Sequence, residues 1–422
     1  MPPKSERSTT TAVGAAPQGL DMSRASMYLL GASLMLIAFN LRPLFASLSV
    51  MLPEIVRKTG ISSAASGYLT TLPVLCLGLF APLAPKLARR YGVEHTLLGM
   101  LALVAIGTGL RGFGGTTALF LGTAVAGAAI AVGNVLLPSL VKRDFAHHAA
   151  TMTGFYTMAL CGGAAVAAAA TQPLAHVFDD SWMIALGIWA VPAAIVFVIW
   201  APQLPRKSAA KRHTSYRVTG LGRDRLAWQV TFFMGLQSSL AYCIMGWLAP
   251  ILRDRGLDGV TAGLVVSVSI MIQVFASLVV PPLAVRCKDQ RLFNIGLSAA
   301  AGLALLGFLF APLSTVWLWV VIQGFGQGGL FAIALTVIVL RSPDSHVAAQ
   351  LSSMAQAVGY ILAAFGPLLV GLLHSWTGGY AATAWLFLAL TLGAVASGWG
   401  AGRNEYVRAR AEPITPATGA KR

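Results

Sequence analysis

Charge is what this chain has least of. Asp, Glu, Lys and Arg make up 10% of its 422 residues, against roughly a quarter in an ordinary soluble domain. Carboxylates are the scarcest part: there are 14, and every one falls in a tail, a loop or the end of an apolar segment. Cysteine is nearly missing too. Cys76, Cys161, Cys243 and Cys287 stand singly, without the spacing of a metal site. His147 and His148 are adjacent in a loop and the other histidines are isolated, so no histidine cluster offers a metal site either. These absences exclude a soluble globular domain and leave no nucleophile, base and orienting group arranged for catalysis. No cofactor is expected, and the chain does not read as an enzyme.

The chain is filled with apolar residues instead: 56% are hydrophobic and the mean hydropathy is +0.73. Apolar runs long enough to cross roughly 30 Å of hydrocarbon, at about 1.5 Å per residue, recur from residue 27 to residue 401. Segments of alternating polarity, as in an outer-membrane barrel, do not occur. The fold class is therefore all-α integral membrane. Twelve spans are expected at 27–52, 64–84, 95–112, 116–140, 150–172, 181–201, 228–252, 261–284, 290–310, 314–340, 347–373 and 379–401. The first is full length and lacks a cleavage-type ending, so it reads as a span and not as a signal peptide. Five regions follow: an N-terminal tail (1–26), a six-helix bundle (27–201), a basic linker (202–227), a second six-helix bundle (228–401) and a C-terminal tail (402–422). The Ser-, Ala-, Pro- and charge-rich stretches 1–22 and 408–422 are expected to be disordered.

A net charge of +16 resembles a nucleic-acid signal until the basic residues are placed. With the N-terminus inside, 24 Lys and Arg fall in inner segments and 5 in outer loops. That bias puts both termini in the cytoplasm and makes the charge a topology signal, with no nucleic-acid partner. The expected location is the inner (plasma) membrane, multi-pass.

The two halves of the chain repeat. PKLARR (85–90) matches PPLAVR (281–286), MLPEI (51–55) matches LAPIL (248–252), and KRDFAHHAA (142–150) matches LRSPDSHVA (340–348), all at nearly one offset. The last match aligns Arg143 with Arg341 and His148 with His346. Similarity six spans apart, in one orientation, indicates parallel repeats facing a common central cavity. That is the architecture of an alternating-access transporter.

The loop PKLARRYG (85–92) resembles the signature after the second span of the major facilitator superfamily. Pro85 and Ala88 stand where that signature has Gly and Asp, so the carboxylate of the usual latch is missing. The segments NLRPLFASLSVMLPEI (40–55), GNVLLPSLVKRDF (133–145), GWLAPILRDRG (246–256) and MAQAVGYILAAFGPLLVG (354–371) resemble the cyanate and 2-nitroimidazole transporter family within it. The resemblance runs over essentially all twelve spans. It implies a major-facilitator fold, with twelve transmembrane helices as two six-helix pseudo-repeats around a central cavity. It also implies secondary transport of small polar compounds. A monomer in the lipid bilayer is expected, with protons as the candidate coupling ion and facilitated transport or exchange as the open alternatives. A drug-efflux pump of the same superfamily and a non-transporting membrane sensor are the competing readings. A cationic-drug pump usually needs a buried carboxylate, and a sensor needs a folded extramembrane domain; the sequence offers neither.

One charge breaks the pattern. Arg42 lies about 20 Å into the first span, where an arginine costs on the order of 2.5–3.5 kcal/mol on insertion scales. It should therefore face a cavity or a partner, and no span supplies a carboxylate. Its forked, permanently charged guanidinium suits a small anion or an electron-rich planar group. Pro43 removes a backbone hydrogen bond and kinks the helix, which exposes polar backbone at mid-membrane. Asn40 lies about 200° around a regular helix from Arg42, so it shares the cavity only if the kink turns it.

The remaining candidates are amides and aromatic tips. Asn40 aligns with Gln237 through the repeat. Asn134 lies on the fourth span, Gln327 and Gln323 on the tenth, and Gln356 and Tyr360 one turn apart on the eleventh. Arg42, Asn40, Asn134, Gln237, Gln327, Gln356 and Tyr360 are the expected substrate contacts. Each amide has a plainer alternative, a hydrogen bond to a neighbouring helix, which is also how Gln273 reads. Tyr68, Tyr156, Tyr242 and Trp247 could add aromatic walls. Pro43, Pro138, Arg90, Arg143 and Arg286 are the expected conformational or gating residues.

Overall fold

A computed structural model describes residues 24–145, 149–204 and 216–413. His147 and His148, the residues before 24, and those after 413 lie outside the described residues. Twelve helical segments among those described are long and apolar enough to cross a membrane.

The first is the informative one. It breaks into α1 (Arg24–Phe39) and α2 (Pro43–Thr59), a full break where a kink was expected. Pro43 occupies the first helical position of α2, where its missing N–H is not needed. The next spans are α3 (Ser63–Phe80), α5 (Val93–Leu110), α6 (Thr116–Asp144) and α7 (Ala149–Val177). Between α3 and α5 the basic loop PKLARR is itself helical, within α4 (Leu83–Tyr91). The sixth span is divided into α8 (Trp182–Gly187) and α9 (Ala190–Trp200). The second set is α10 (Arg225–Asp254), α11 (Gly259–Val285), α12 (Arg291–Phe310), α13 (Val316–Leu340), α14 (Ser345–Thr377) and α15 (Thr383–Ala401).

Three of the scarce carboxylates start helices. Asp224 accepts from Ala227 N at 2.7 Å, Asp258 from Thr261 N at 2.9 Å, and Asp344 from His346 N and Val347 N at 2.8 and 2.9 Å. Each satisfies otherwise unpaired N–H groups and places negative charge at the positive end of a helix dipole. The hydrogen bonds from Thr261, side chain and backbone, hold the Asp258 carboxyl below the usual range.

The two halves meet along α3 with α14, α7 with α11, and α2 with α10. In span order these are second with eleventh, fifth with eighth, and first with seventh. The first two pairs exchange under the repeat and the third maps onto itself, as a pseudo-twofold axis through the centre requires. Close approach depends on glycine: Gly67 of α3 faces Gly371 of α14, and a Cβ on Gly67 would lie 3.1 Å from the Gly371 Cα.

Away from the α2/α10 end, the chain after the last span turns back. Expected to be disordered from 408, it instead forms a strand: β1 (Tyr216–Thr219) of the linker pairs antiparallel with β2 (Arg410–Pro413). Arg341, buried at 2% exposure, holds this return through the Ala401 carbonyl at 3.1 Å, the Gly402 carbonyl at 3.3 Å and the Gln290 side-chain oxygen. Burial keeps its guanidinium below the usual arginine range.

Gly163 of α7 lies against the break between α1 and α2, where an added Cβ would collide with the Phe39 carbonyl oxygen. The adjacent Gly162 faces open space. Gly163→Ala should therefore cost about 1–3 kcal/mol through overpacking, read as a lower unfolding midpoint of the purified protein in detergent. Gly162→Ala should leave the midpoint unchanged.

Candidate functional site

The break gives Arg42 its position. The chain leaves α1 through tight turns, with Asn40 N donating to the Ile37 carbonyl at 3.1 Å and Leu41 N to the Ala38 carbonyl at 3.1 Å. Arg42 then caps α2 with its own carbonyl, which accepts from Phe45 N at 3.1 Å. This throws its side chain toward the other half, where Nη1 donates to the Tyr242 hydroxyl of α10 at 3.3 Å. The guanidinium carbon lies 5.8 Å from the Phe45 ring centre and 6.0 Å from that of Tyr242. Contacts of this kind contribute about 0.5–2 kcal/mol each. Tyr360 of α14 packs edge-on to Tyr242, with centroids 6.1 Å apart.

No carboxylate pairs with Arg42 among the described residues. Most of its five N–H donors are thus left to face a cavity of about 90 Å³. That space suits a solute of a few atoms. Tyr242, Tyr360, Gln327, Gln273 and Cys161 share the lining with Arg42. The site is a fixed cation walled by aromatic faces, with amides opposite.

Of the residues expected there, Arg42, Gln327 and Tyr360 are brought together. Gln237 stands behind the wall: its side-chain and backbone oxygens both accept from Gln327 Nε2 at 3.2 Å, so it fixes that amide. Asn40 is turned back, donating from Nδ2 to the Leu36 carbonyl at 2.8 Å, which also accepts from Asn40 N at 3.4 Å. Gln356 bonds Ser352 one turn before it, at 2.9 Å. Asn134 is half-buried on α6 and does not line the cavity. Gln323 bonds Ser269 across α13 and α11. Of the aromatic candidates, Tyr68 is exposed on an outer face, Tyr156 packs beside the core, and Tyr242 is the direct partner of Arg42.

Besides Arg341, two buried charges escape the sequence reading. Arg111, expected in an outer loop, is fully buried and folds inward to the Leu44 carbonyl at 3.4 Å. Glu54, expected at the end of the first span, is 6% exposed within α2. It pairs with Arg253 of α10, Nη1 lying 2.5 Å and 2.6 Å from its two carboxylate oxygens. Gln172 of α7 donates to the same carboxylate at 3.4 Å. Nearby, His374 of α14 and Ser63 of α3 are hydrogen-bonded at 2.9 Å. These bonds close the end of the molecule remote from β1 and β2.

The expected gating residues at the other end do not join the halves in this conformation. Arg143 pairs with Glu94 and Asp144, both at 2.6 Å and both in its own half; Asp144 and Glu94 hold its guanidinium above the usual range. Arg90 lies over the neighbouring Tyr91 ring at 5.2 Å. Arg286 is exposed at the end of α11. Pro138 lies inside α6, which runs on unbroken to Asp144.

The sequence pattern of the Major Facilitator Superfamily matches residues 28–322 and, overlapping, 227–415. The chain belongs to that superfamily. It is 36% identical over 389 residues to the 2-nitroimidazole transporter of Escherichia coli (strain K12), covering 92% of this chain and 98% of that one. It is 28% identical over 358 residues to the cyanate transport protein CynX of the same organism, covering 85% and 92%. Among solved structures, a D-xylose-proton symporter superposes with a TM-score of 0.71 at 14% identity, over 89% of this chain and 98% of that one. The protein is thus a multi-pass membrane transporter of the major facilitator fold, and its chemistry is carriage of a small molecule, not catalysis.

The bonds at the closed end predict a lock. With the native cysteines replaced, Ser63→Cys/His374→Cys should crosslink under mild oxidation, stop transport in proteoliposomes and release it again on reduction. Full transport by the crosslinked protein would contradict the gating role of this end.

Proposed function

We propose that this superfamily member carries a small anion, or an electron-rich planar polar solute, through the cavity at Arg42 by rocking its two six-helix bundles. The observation that supports this most is the guanidinium at mid-membrane with no protein carboxylate to balance it. A cavity so charged repels organic cations, which disfavours cationic-drug efflux. An incoming anion neutralises Arg42 and lowers the cost of closing the halves around it. The relatives named for 2-nitroimidazole and cyanate carry, by those names, one planar ring compound and one small anion. Both classes suit a guanidinium between aromatic faces.

In this reading Arg42, Gln327 and Tyr360 contact the solute, together with Tyr242 and Gln273. Gln237 positions Gln327, and the break at Pro43 turns Arg42 toward the second half. Asn40, Asn134 and Gln356 take the role of helix-to-helix or local hydrogen bonding. The excess of Lys and Arg, 24 to 5, supports a linker and both termini in the cytoplasm. This conformation is then the one closed on the outer side. The protein works as a monomer in the inner membrane, with protons as the coupling ion.

Uptake of cyanate, 2-nitroimidazole and small carboxylates into proteoliposomes tests the reading. Arg42→Ala should reduce uptake of the transported solute by roughly 10–100-fold, the scale of charge-assisted hydrogen bonds. Arg42→Lys should fall between, since it keeps the charge and loses the fork. Normal uptake by both folded variants would contradict the role of Arg42. A protonophore should collapse uptake driven by a proton gradient.

A further inference from the structure

The closed end holds a second cavity, larger than the first. It encloses about 370 Å³, at the lower end of the range of small-molecule sites, and both halves build it. Arg57 comes from α2, Ser63 from α3, Trp247 and Arg253 from α10, and His374 from α14, with Tyr380 in the turn beyond. The His374 and Tyr380 rings pack at 4.4 Å, tilted 42° to one another, and Tyr380 meets Trp247 edge-on at 5.9 Å. Trp247 is 2% exposed and tied by its Nε1–H to the Pro367 carbonyl at 3.0 Å, so its indole is a fixed apolar face.

Two arginines line the same space, against a single carboxylate, Asp254. Arg57 is exposed and makes no ion pair or hydrogen bond among the described residues. Arg253 gives Nη1 to Glu54, which lies outside the lining, and its remaining N–H groups make no bond to the described residues. The Tyr380 hydroxyl likewise makes no hydrogen bond to them. Flat aromatic walls beside two guanidinium groups with spare donors match a single planar ring bearing a negative group.

We propose that this cavity is a second, vestibular binding site for a small aromatic carboxylate of benzoate size. The ring lies against Trp247, His374 and Tyr380, and the carboxylate sits on Arg57 and Arg253. Seated there, the ligand carboxylate takes the spare N–H groups of Arg253 while Nη1 stays on Glu54. Held by Arg57 of α2 and Arg253 of α10, the ligand bridges the two halves beside the Glu54–Arg253 pair and steadies the closure it sits on. The proposal stands independently of the Arg42 reading, because the two cavities share no lining residue.

Equilibrium binding of radiolabelled benzoate to the purified full-length protein tests it. Wild type should bind saturably, and Arg42→Gln, which alters only the central cavity, should keep that binding. Arg57→Gln, at an exposed position that does not endanger folding, should weaken it about tenfold, the scale of one charge-assisted hydrogen bond. Glu54→Gln, which frees Arg253, should tighten it several-fold. No saturable binding by wild type would overturn the proposal, as would loss with Arg42→Gln and indifference to Arg57→Gln. Unchanged or weaker binding by Glu54→Gln would overturn the placing of the carboxylate on Arg253.

Discussion

A guanidinium held at mid-membrane without a carboxylate is the constraint around which the rest of this molecule is arranged. Arg42 cannot face lipid cheaply, and the one buried acid among the described residues, Glu54, is paired with Arg253. The protein answers with weaker partners: one tyrosine hydroxyl and two aromatic faces. Those partners leave most of the guanidinium's hydrogen-bonding capacity unused. A regular helix would not deliver the side chain to them, so α1 ends at Phe39, α2 begins at Pro43, and Gly163 leaves room for the exposed Phe39 carbonyl.

The few carboxylates are distributed to match. Asp224, Asp258 and Asp344 start helices, and Glu54 ties α2 to α10. Among the described residues, none lines the central cavity. These carboxylates fasten one element to another away from the central cavity, whereas the buried Arg111 and Arg341 are met by carbonyl and amide oxygens alone. An ion pair across the halves suits a gate because breaking it costs free energy that the opposite closure can return. The central cation is suited to selection, since a ligand of the wrong sign leaves it desolvated and unpaired.

Much of this is legible in the amino-acid sequence. Twelve spans follow from the length of the apolar runs, and the repeat from PKLARR and PPLAVR at matched positions. Arg42 stands out because a lone charge among apolar neighbours has few structural explanations. The partners of Arg42 and Glu54 are not legible: Tyr242 lies 200 residues from Arg42, and Arg253 lies 199 from Glu54. Only the packing of the two halves brings them together. The amides are ambiguous for another reason. In a helix that is apolar on every side, periodicity does not say which way one Gln or Asn points, so Asn40 and Gln356 look the same as Gln327. Arg111 reads as a loop charge because it follows the last apolar residue of its span, yet an arginine side chain is long enough to turn back inward. The β1–β2 pair has strands of four residues, Tyr-Arg-Val-Thr and Arg-Ala-Glu-Pro, whose alternation is too short to stand out from the charged linker and tail around it.

The central claim is that a solute's negative or electron-rich group completes Arg42. Selenocyanate, a small anion carrying an anomalous scatterer, locates that contact directly in a crystal of the protein grown with it. The account predicts selenium density in the central cavity, with the anion on the Arg42 guanidinium between Tyr242 and Tyr360. A guanidinium that keeps only its protein partners, with saturating anion bound elsewhere or not at all, would contradict it.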